Sequence, residues 1–272
     1  MTVRQLRQAR PTVVKLGGEL LENTSHLRKL SLTLAERSSQ GPVVIVHGGG
    51  REVDADMAKH GIIKNSVDGL RITDKKTLPI VVGVLAGRVN TRLVAALVYA
   101  GASAVGLTGA DGALAPVRRA KSYQASSGKA VNLGYVGTPT KTGQPNLLFD
   151  LLKHDHLPVV ASISSGPRGQ LFNVNADTLA SSLAIRLGAQ QLLIAGSTAG
   201  VLDRSGKTIP VVDGKMIVRL IGEGNASAGM VAKLLACRSA LQNGVAAVSI
   251  VNGRRSPEQL FAQKATSTKV TR

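Results

Sequence analysis

Aromatic residues are scarce: the chain of 272 residues has no tryptophan, three tyrosines and three phenylalanines. Single-stranded nucleic acid is held largely by bases stacking on aromatic rings, so this scarcity argues against nucleic acid as a partner. Cysteine is limited to Cys237, which excludes an intrachain disulfide framework and any multi-cysteine metal site. That residue lies in an apolar helical stretch, Met230 to Arg238, and reads as a buried packing residue. The five histidines are scattered, so no bound metal is expected. No uninterrupted apolar stretch approaches the roughly 18 to 20 residues that cross a bilayer, and no membrane association is expected. Met1 to Arg10 carries no apolar core or small-residue cleavage site, unlike a secretory signal; the expected address is cytoplasmic.

Acidic residues are also few, 16 against 34 Lys and Arg, for a formal charge of +18. Such a field suits nucleic acid, an acidic protein or anionic small substrates. Between Asp111 and Asp150, Arg118, Arg119, Lys121, Lys129 and Lys141 meet no acidic residue. That stretch is either a solvated face or a surface for an acidic partner.

Apolar runs predict strands near 12–16, 43–47, 103–108, 158–162, 191–195 and 246–251. Helical patterns fall near 26–39, 51–60, 76–100, 145–153, 177–187 and 229–242. The alternation predicts an α/β fold with a mainly parallel sheet covered on both faces, whose ligands sit beyond the carboxyl ends of the strands. Gly134 to Pro145 reads as a loop or hairpin. A turn-rich stretch from Ser162 to Gln170 suggests two lobes, 1–165 and 166–272. The first half of the long helix, Leu78 to Gly87, is apolar on every side and must be covered, which suggests a homodimer interface through residues 76–100.

Two strand-to-glycine turns carry the main chemical signal. Val13-Val14-Lys15-Leu16 stops at Gly17-Gly18, and Val44-Ile45-Val46-His47 stops at Gly48-Gly49-Gly50. Glycines there let backbone N–H groups converge on an anion, and a following helix N-terminus adds its positive end. No G-x-x-x-x-G-K-[ST], protein-kinase loop or G-x-S-x-G elbow is present. Arg71, in a turn before the long helix, suits a carboxylate, either a ligand's or a local one such as Asp74. Asp177 opens a helix after Asn173-Val-Asn-Ala, where an ordinary helix-start role would also suffice. Lys233 falls in the first turn of another helix, where it opposes the helix dipole unless an anion lies near.

Lys15-Leu-Gly-Gly18, His47-Gly-Gly-Gly50, Gly69-Leu-Arg-Ile-Thr-Asp74, Gly106-Leu-Thr-Gly-Ala-Asp-Gly112, Asn173-Val-Asn-Ala-Asp177 and Gly229-Met-Val-Ala-Lys233 occur in that order. Together they resemble the amino-acid kinase superfamily, most closely its N-acetyl-L-glutamate kinase branch, over residues 12 to 252. The resemblance implies a three-layer αβα sandwich, with substrate binding and dimerisation in the first lobe and ATP binding in the second. It implies transfer of phosphoryl from ATP, with Mg2+ held mainly by the nucleotide, to the γ-carboxylate of N-acetyl-L-glutamate in arginine biosynthesis. Lys15 and Lys233 would flank the moving phosphoryl, with Asp177 holding both. Gly17 and Gly18 would contact phosphate, and Gly48, Gly49, Arg71 and Asn173 the acyl amino acid. Ser197, Thr198, Gly200 and Gly229 would border the nucleotide. The family usually has aspartate where Ser197 stands. The short segment before the first strand implies a homodimer insensitive to arginine. Two alternatives stay open: a kinase acting on aminoadipate or glutamate linked to an acidic carrier protein, and a non-catalytic basic binding module on a kinase fold.

Overall fold

In the computed structural model, which describes residues 10–125, 128–224, 226, 228–255, 257, 260–261 and 267–272, every predicted strand forms and joins one sheet. These are β1 (Thr12–Leu16), β2 (Val43–His47), β5 (Ala104–Thr108), β10 (Leu157–Ala161), β13 (Gln191–Gly196) and β15 (Ala247–Asn252). They pair in parallel in the order β15-β13-β1-β2-β10-β5. Beyond β15 lie β16 (Ser267–Val270), antiparallel to it, and then β14 (Val211–Val212). The N-terminal segment 1–9, on which the expectations about a leader and a short extension rest, lies outside the described residues.

Alternation along the strands splits the core in two. Val13, Val46, Leu192 and Ile250 face one side, against α4 (Asn146–Lys153), α5 (Ala176–Arg186), α6 (Gly214–Gly222) and α7 (Ala228–Gln242). Val14, Ile45, Leu193 and Val251 face the other, against α1 (Thr24–Gln40), α2 (Gly50–Lys59) and the long helix α3 (Thr77–Tyr99). Each fully buried aliphatic side chain contributes about 1.5–3 kcal/mol, and both sheet faces are covered by buried aliphatic residues, which makes the expected three-layer αβα sandwich.

The helix α3 has one buried and one exposed face. It is not apolar all round in effect: Val81, Val84, Leu85, Val89, Leu93 and Leu97 are buried, while Pro79, Gly83, Gly87, Thr91 and Ala95 form an exposed stripe at every fourth position. By length and composition its 23 residues would suffice to cross a membrane, with mean hydropathy 1.6 over its most apolar window. Its inner face nevertheless belongs to the protein core, and its two arginines pair across to α2, Arg88 with Asp56 and Arg92 with Glu52.

Smaller elements escaped the sequence reading. A second sheet orders β11 (Ile163–Ser165), β12 (Leu171–Val174), β9 (Val136–Pro139) and β6 (Val117–Arg119). Two hairpins stand apart, β3 (Ser66–Val67) with β4 (Leu70–Arg71), and β7 (Tyr123–Gln124) with β8 (Ala130–Val131). The loop expected over Gly134 to Pro145 therefore contains β9. The turn between β3 and β4 has Asp68 and Gly69 both at positive φ, 44° and 73°, the backbone a two-residue hairpin requires.

Candidate active site

The site begins where β1 and β2 end side by side, with Leu16 opposite His47 in the parallel register. Both glycine turns therefore leave the sheet together and touch: a Cβ on Gly18 would lie 2.6 Å from the Gly49 Cα. Gly49 is in turn covered by Leu85 and Val89 of α3, the former 2.8 Å from where a Cβ would sit. Close approach, not left-handed geometry, is what demands glycine here.

A cavity of about 370 Å³ opens over these turns. Its walls include Lys15, Gly17, Gly18, Gly48, Gly49, Arg71, Asn173, Asp177, Gly229 and Lys233. Residues drawn from five of the six motifs thus share one cleft at the carboxyl end of the sheet, and the Gly106–Gly112 motif stands outside its walls. Lys15 is almost fully buried, and its Nζ lies 3.0 Å from Asp177 Oδ1, itself buried. A charged lysine survives such burial only when paired. Asn175 accepts the Thr178 backbone N–H at 3.0 Å and caps α5, placing Asp177 in the first helical turn.

Asp177 forms its ion pair with Lys15, whereas Lys233 Nζ donates to the Gly229 carbonyl of its own helix at 3.3 Å. The expected hold of Asp177 on both lysines is thus seen for one. Arg71 pairs with Asp54 of α2, not with Asp74, and donates to the Gly50 carbonyl at 3.0 Å. Asp74 instead caps α3 by accepting the Thr77 N–H at 2.7 Å, and this backbone bond is the largest cause holding its carboxyl below the usual range. Asn173 donates to Thr73 Oγ1 at 3.1 Å from the floor of the second sheet.

Ser197, Thr198 and Gly200 follow β13 and are not among the cavity walls. Ser197 and Thr198 are exposed, while Gly200 is buried with φ of 103°. A Cβ on Gly200 would meet Thr268 Oγ1 at 2.4 Å, so this glycine packs the loop onto β16. The sequence reading missed Glu19, which lines the cavity. Its Oε1 accepts the Ser197 N–H at 3.1 Å, and its carboxylate lies against Gly17 and Gly196. Nothing in the pattern around Gly18 signalled that role; Asn175, also on the cavity wall, is the cap of α5, where the sequence had offered Asp177 as the helix-start residue.

His47 is fully buried. Its Nδ1 faces the Gly48 carbonyl at 3.0 Å and its Nε2 faces Asn90 Nδ2 at 3.0 Å, which fixes the Nδ1–H tautomer by complementarity. Burial brings its pKa down to about 4, so it is a neutral linker behind the glycine turn. Cys237 is buried too, with its thiol pushed up by burial and then by Asp177.

The sequence profile of the amino acid kinase family matches residues 10–252. An acetylglutamate kinase of Bradyrhizobium sp. (strain ORS 278) is 38% identical over 94% of this chain and 88% of its own length. Another, from Rhodospirillum centenum, is 38% identical over 90% of this chain and 82% of its own. Among solved structures, N-acetylglutamate synthase from Neisseria gonorrhoeae, complexed with coenzyme A and N-acetyl-glutamate, superposes with a TM-score of 0.81 at 24% identity. That match covers 99% of this chain, which spans only 61% of the synthase. Carbamate kinase from Giardia lamblia bound to AMP-PNP gives 0.67 at 14% identity, covering 97% and 100%; both likenesses concern the fold. The chain belongs to the amino acid kinase family and is a kinase.

Proposed function

We propose that the chain transfers the γ-phosphoryl of MgATP to the γ-carboxylate of N-acetyl-L-glutamate, a step of arginine biosynthesis. The observation that carries this reading is the buried Lys15–Asp177 pair in one cavity with two touching glycine turns, its walls also including Arg71, Asn173 and Lys233. The names of the relatives support the substrate. Phosphoryl transfer asks for alignment and charge neutralisation more than covalent chemistry. Lys15 and Lys233 would neutralise charge as it shifts from the attacking to the leaving oxygen. Backbone N–H groups at Gly17, Gly18, Gly48 and Gly49 would hold the phosphoryl and the reacting carboxylate. The guanidinium of Arg71, oriented by Asp54, would bind the α-carboxylate, and Asn173 would assist. A carboxylate nucleophile is already ionised at neutral pH, so no general base is required. Mg2+ would enter as part of the nucleotide substrate.

In this reading the first lobe binds the acyl amino acid, and the second, with Ser197, Thr198, Gly200 and Gly229, the nucleotide. The exposed stripe of small residues on α3 would let a second copy's helix approach closely, giving a homodimer. Turnover of MgATP with N-acetyl-L-glutamate, trapping the acyl phosphate as a hydroxamate, tests the activity. Robust hydroxamate formation is expected; none with this substrate would overturn the assignment.

A further inference from the structure

Beside the reaction cleft lies a second and larger chamber, of about 660 Å³. The two cavities share Asp68, Leu70, Asn175 and Ala232 as common walls. The second runs between α5 and α7 beneath β9: Thr178, Ser182 and Ile185 line it from one helix, Val231, Leu235 and Ser239 from the other. Its walls are apolar along their length, with hydroxyls interspersed and Leu235 about half exposed.

At the far end stands Arg186, in the last turn of α5. One of its amino groups donates weakly to the Thr142 carbonyl at 3.4 Å. Its Nε and Nη2 are buried with no hydrogen-bond partner, and no carboxylate pairs with it among the described residues. A guanidinium offers a two-pronged donor fork that matches a carboxylate, and leaving it desolvated and unpaired is costly. The acidic group at the near end, Asp68, is engaged by the Tyr123 hydroxyl. Lys141 adds a second positive charge to the lining.

We propose that this chamber receives the acyl arm of the substrate and that Arg186 binds an anionic group at the arm's far end. The chain then phosphorylates, besides the N-acetyl compound, N-acylglutamates whose acyl chain is long and ends in a carboxylate. This deepens the kinase reading above and rests on it. An acetyl group would leave nearly all of the chamber empty. The length follows from the helix: Asn175 to Arg186 is a rise of about 16 Å, and a helical side chain leaning toward the N-terminus recovers about 6 Å of it. An arm of about 10 Å remains, the span of an extended eight-carbon diacid. Its methylenes would lie along Leu70, Ile185, Val231 and Leu235, and its terminal carboxylate would pair with Nε and Nη2.

The test compares kcat/KM for N-suberoyl-L-glutamate with that for N-octanoyl-L-glutamate, which has the same length without the terminal charge, and for N-acetyl-L-glutamate. The suberoyl compound is expected to exceed the octanoyl by tenfold or more. Arg186→Leu, with Arg186→Gln as a second variant should the first fail to fold, should bring that ratio to about one. Ser182→Phe, which fills the chamber, should lower turnover of both long substrates relative to the acetyl one. A suberoyl-to-octanoyl ratio of one in the unaltered enzyme, or an advantage that survives loss of Arg186, overturns the proposal. Turnover of the acetyl substrate alone overturns it while leaving the kinase reading intact. Silence with all three overturns the kinase reading; calorimetric binding of N-suberoyl-L-glutamate then decides for the chamber if Arg186→Leu abolishes it, and against it if the variant binds equally.

Discussion

Lys15 Nζ and Asp177 Oδ1 lie 3.0 Å apart with both side chains more than nine-tenths buried, and this pair joins the two halves of the chain: β1 supplies one member and the first turn of α5 the other. Removing one partner of a buried pair strands the other, at a cost of about 3–5 kcal/mol. Asp177→Asn should therefore lower stability by that order in denaturant unfolding and also depress kcat strongly. A stable Asp177→Asn protein with near-normal kcat would show that the pair is neither structural nor catalytic.

Lys233 and Arg71 should separate by kinetic signature. Lys233 is half-buried and, among the described residues, bonded only to its own helix, so Lys233→Ala should lower kcat by two orders of magnitude or more with little loss of stability. Arg71→Ala should raise KM for the acyl amino acid at least tenfold and spare KM for ATP. Equal effects on both would mark Arg71, through Asp54 and Gly50, as a structural tie between the β3–β4 hairpin and α2.

The parallel strands were legible as continuous apolar runs that stop at glycine, as at Leu16-Gly17, and most helices by their apolar period; α6 (Gly214–Gly222) was not. The second sheet was not: β6 and β9 are three and four residues long, too short for alternation to register. The positions of the cleft residues were legible from motif order, but their partners were not. Arg71 finds Asp54, seventeen residues earlier, and Glu19 finds Ser197, far away in the chain. Such pairings depend on how the sheet folds back, which local sequence does not encode.

Glu19 places a carboxylate against Gly17, Gly196 and the Ser197 N–H, a cradle of backbone that suits phosphate. Its negative charge repels a polyphosphate. Glu19→Gln keeps an acceptor for the Ser197 N–H and removes the charge. Near the surface such a charge is worth about 1 kcal/mol, so KM for MgATP should fall by roughly fivefold. An increase in KM would show that the carboxylate works with the nucleotide, through its metal, rather than against it.

His47 links stability to pH. Its folded pKa is about 4 because burial disfavours the charged ring, while the unfolded chain titrates near the ordinary value of about 6.5. Between those values the unfolded state binds the extra proton, so the contribution of the neutral ring is fully present above about pH 6.5. It is lost as pH falls, by about 1.4 kcal/mol at pH 5.5 and roughly 3 kcal/mol below pH 4. Carboxylates also titrate in this range, which makes the comparison with His47→Asn the informative one. That variant loses the contact between Nε2 and Asn90 and starts less stable at pH 7.5, but its stability should decline less steeply toward pH 5. Parallel declines in denaturant midpoints across pH 7.5 to 5 would mean that His47 does not take up its proton on unfolding, and the buried neutral ring behind the glycine turn would have to be abandoned.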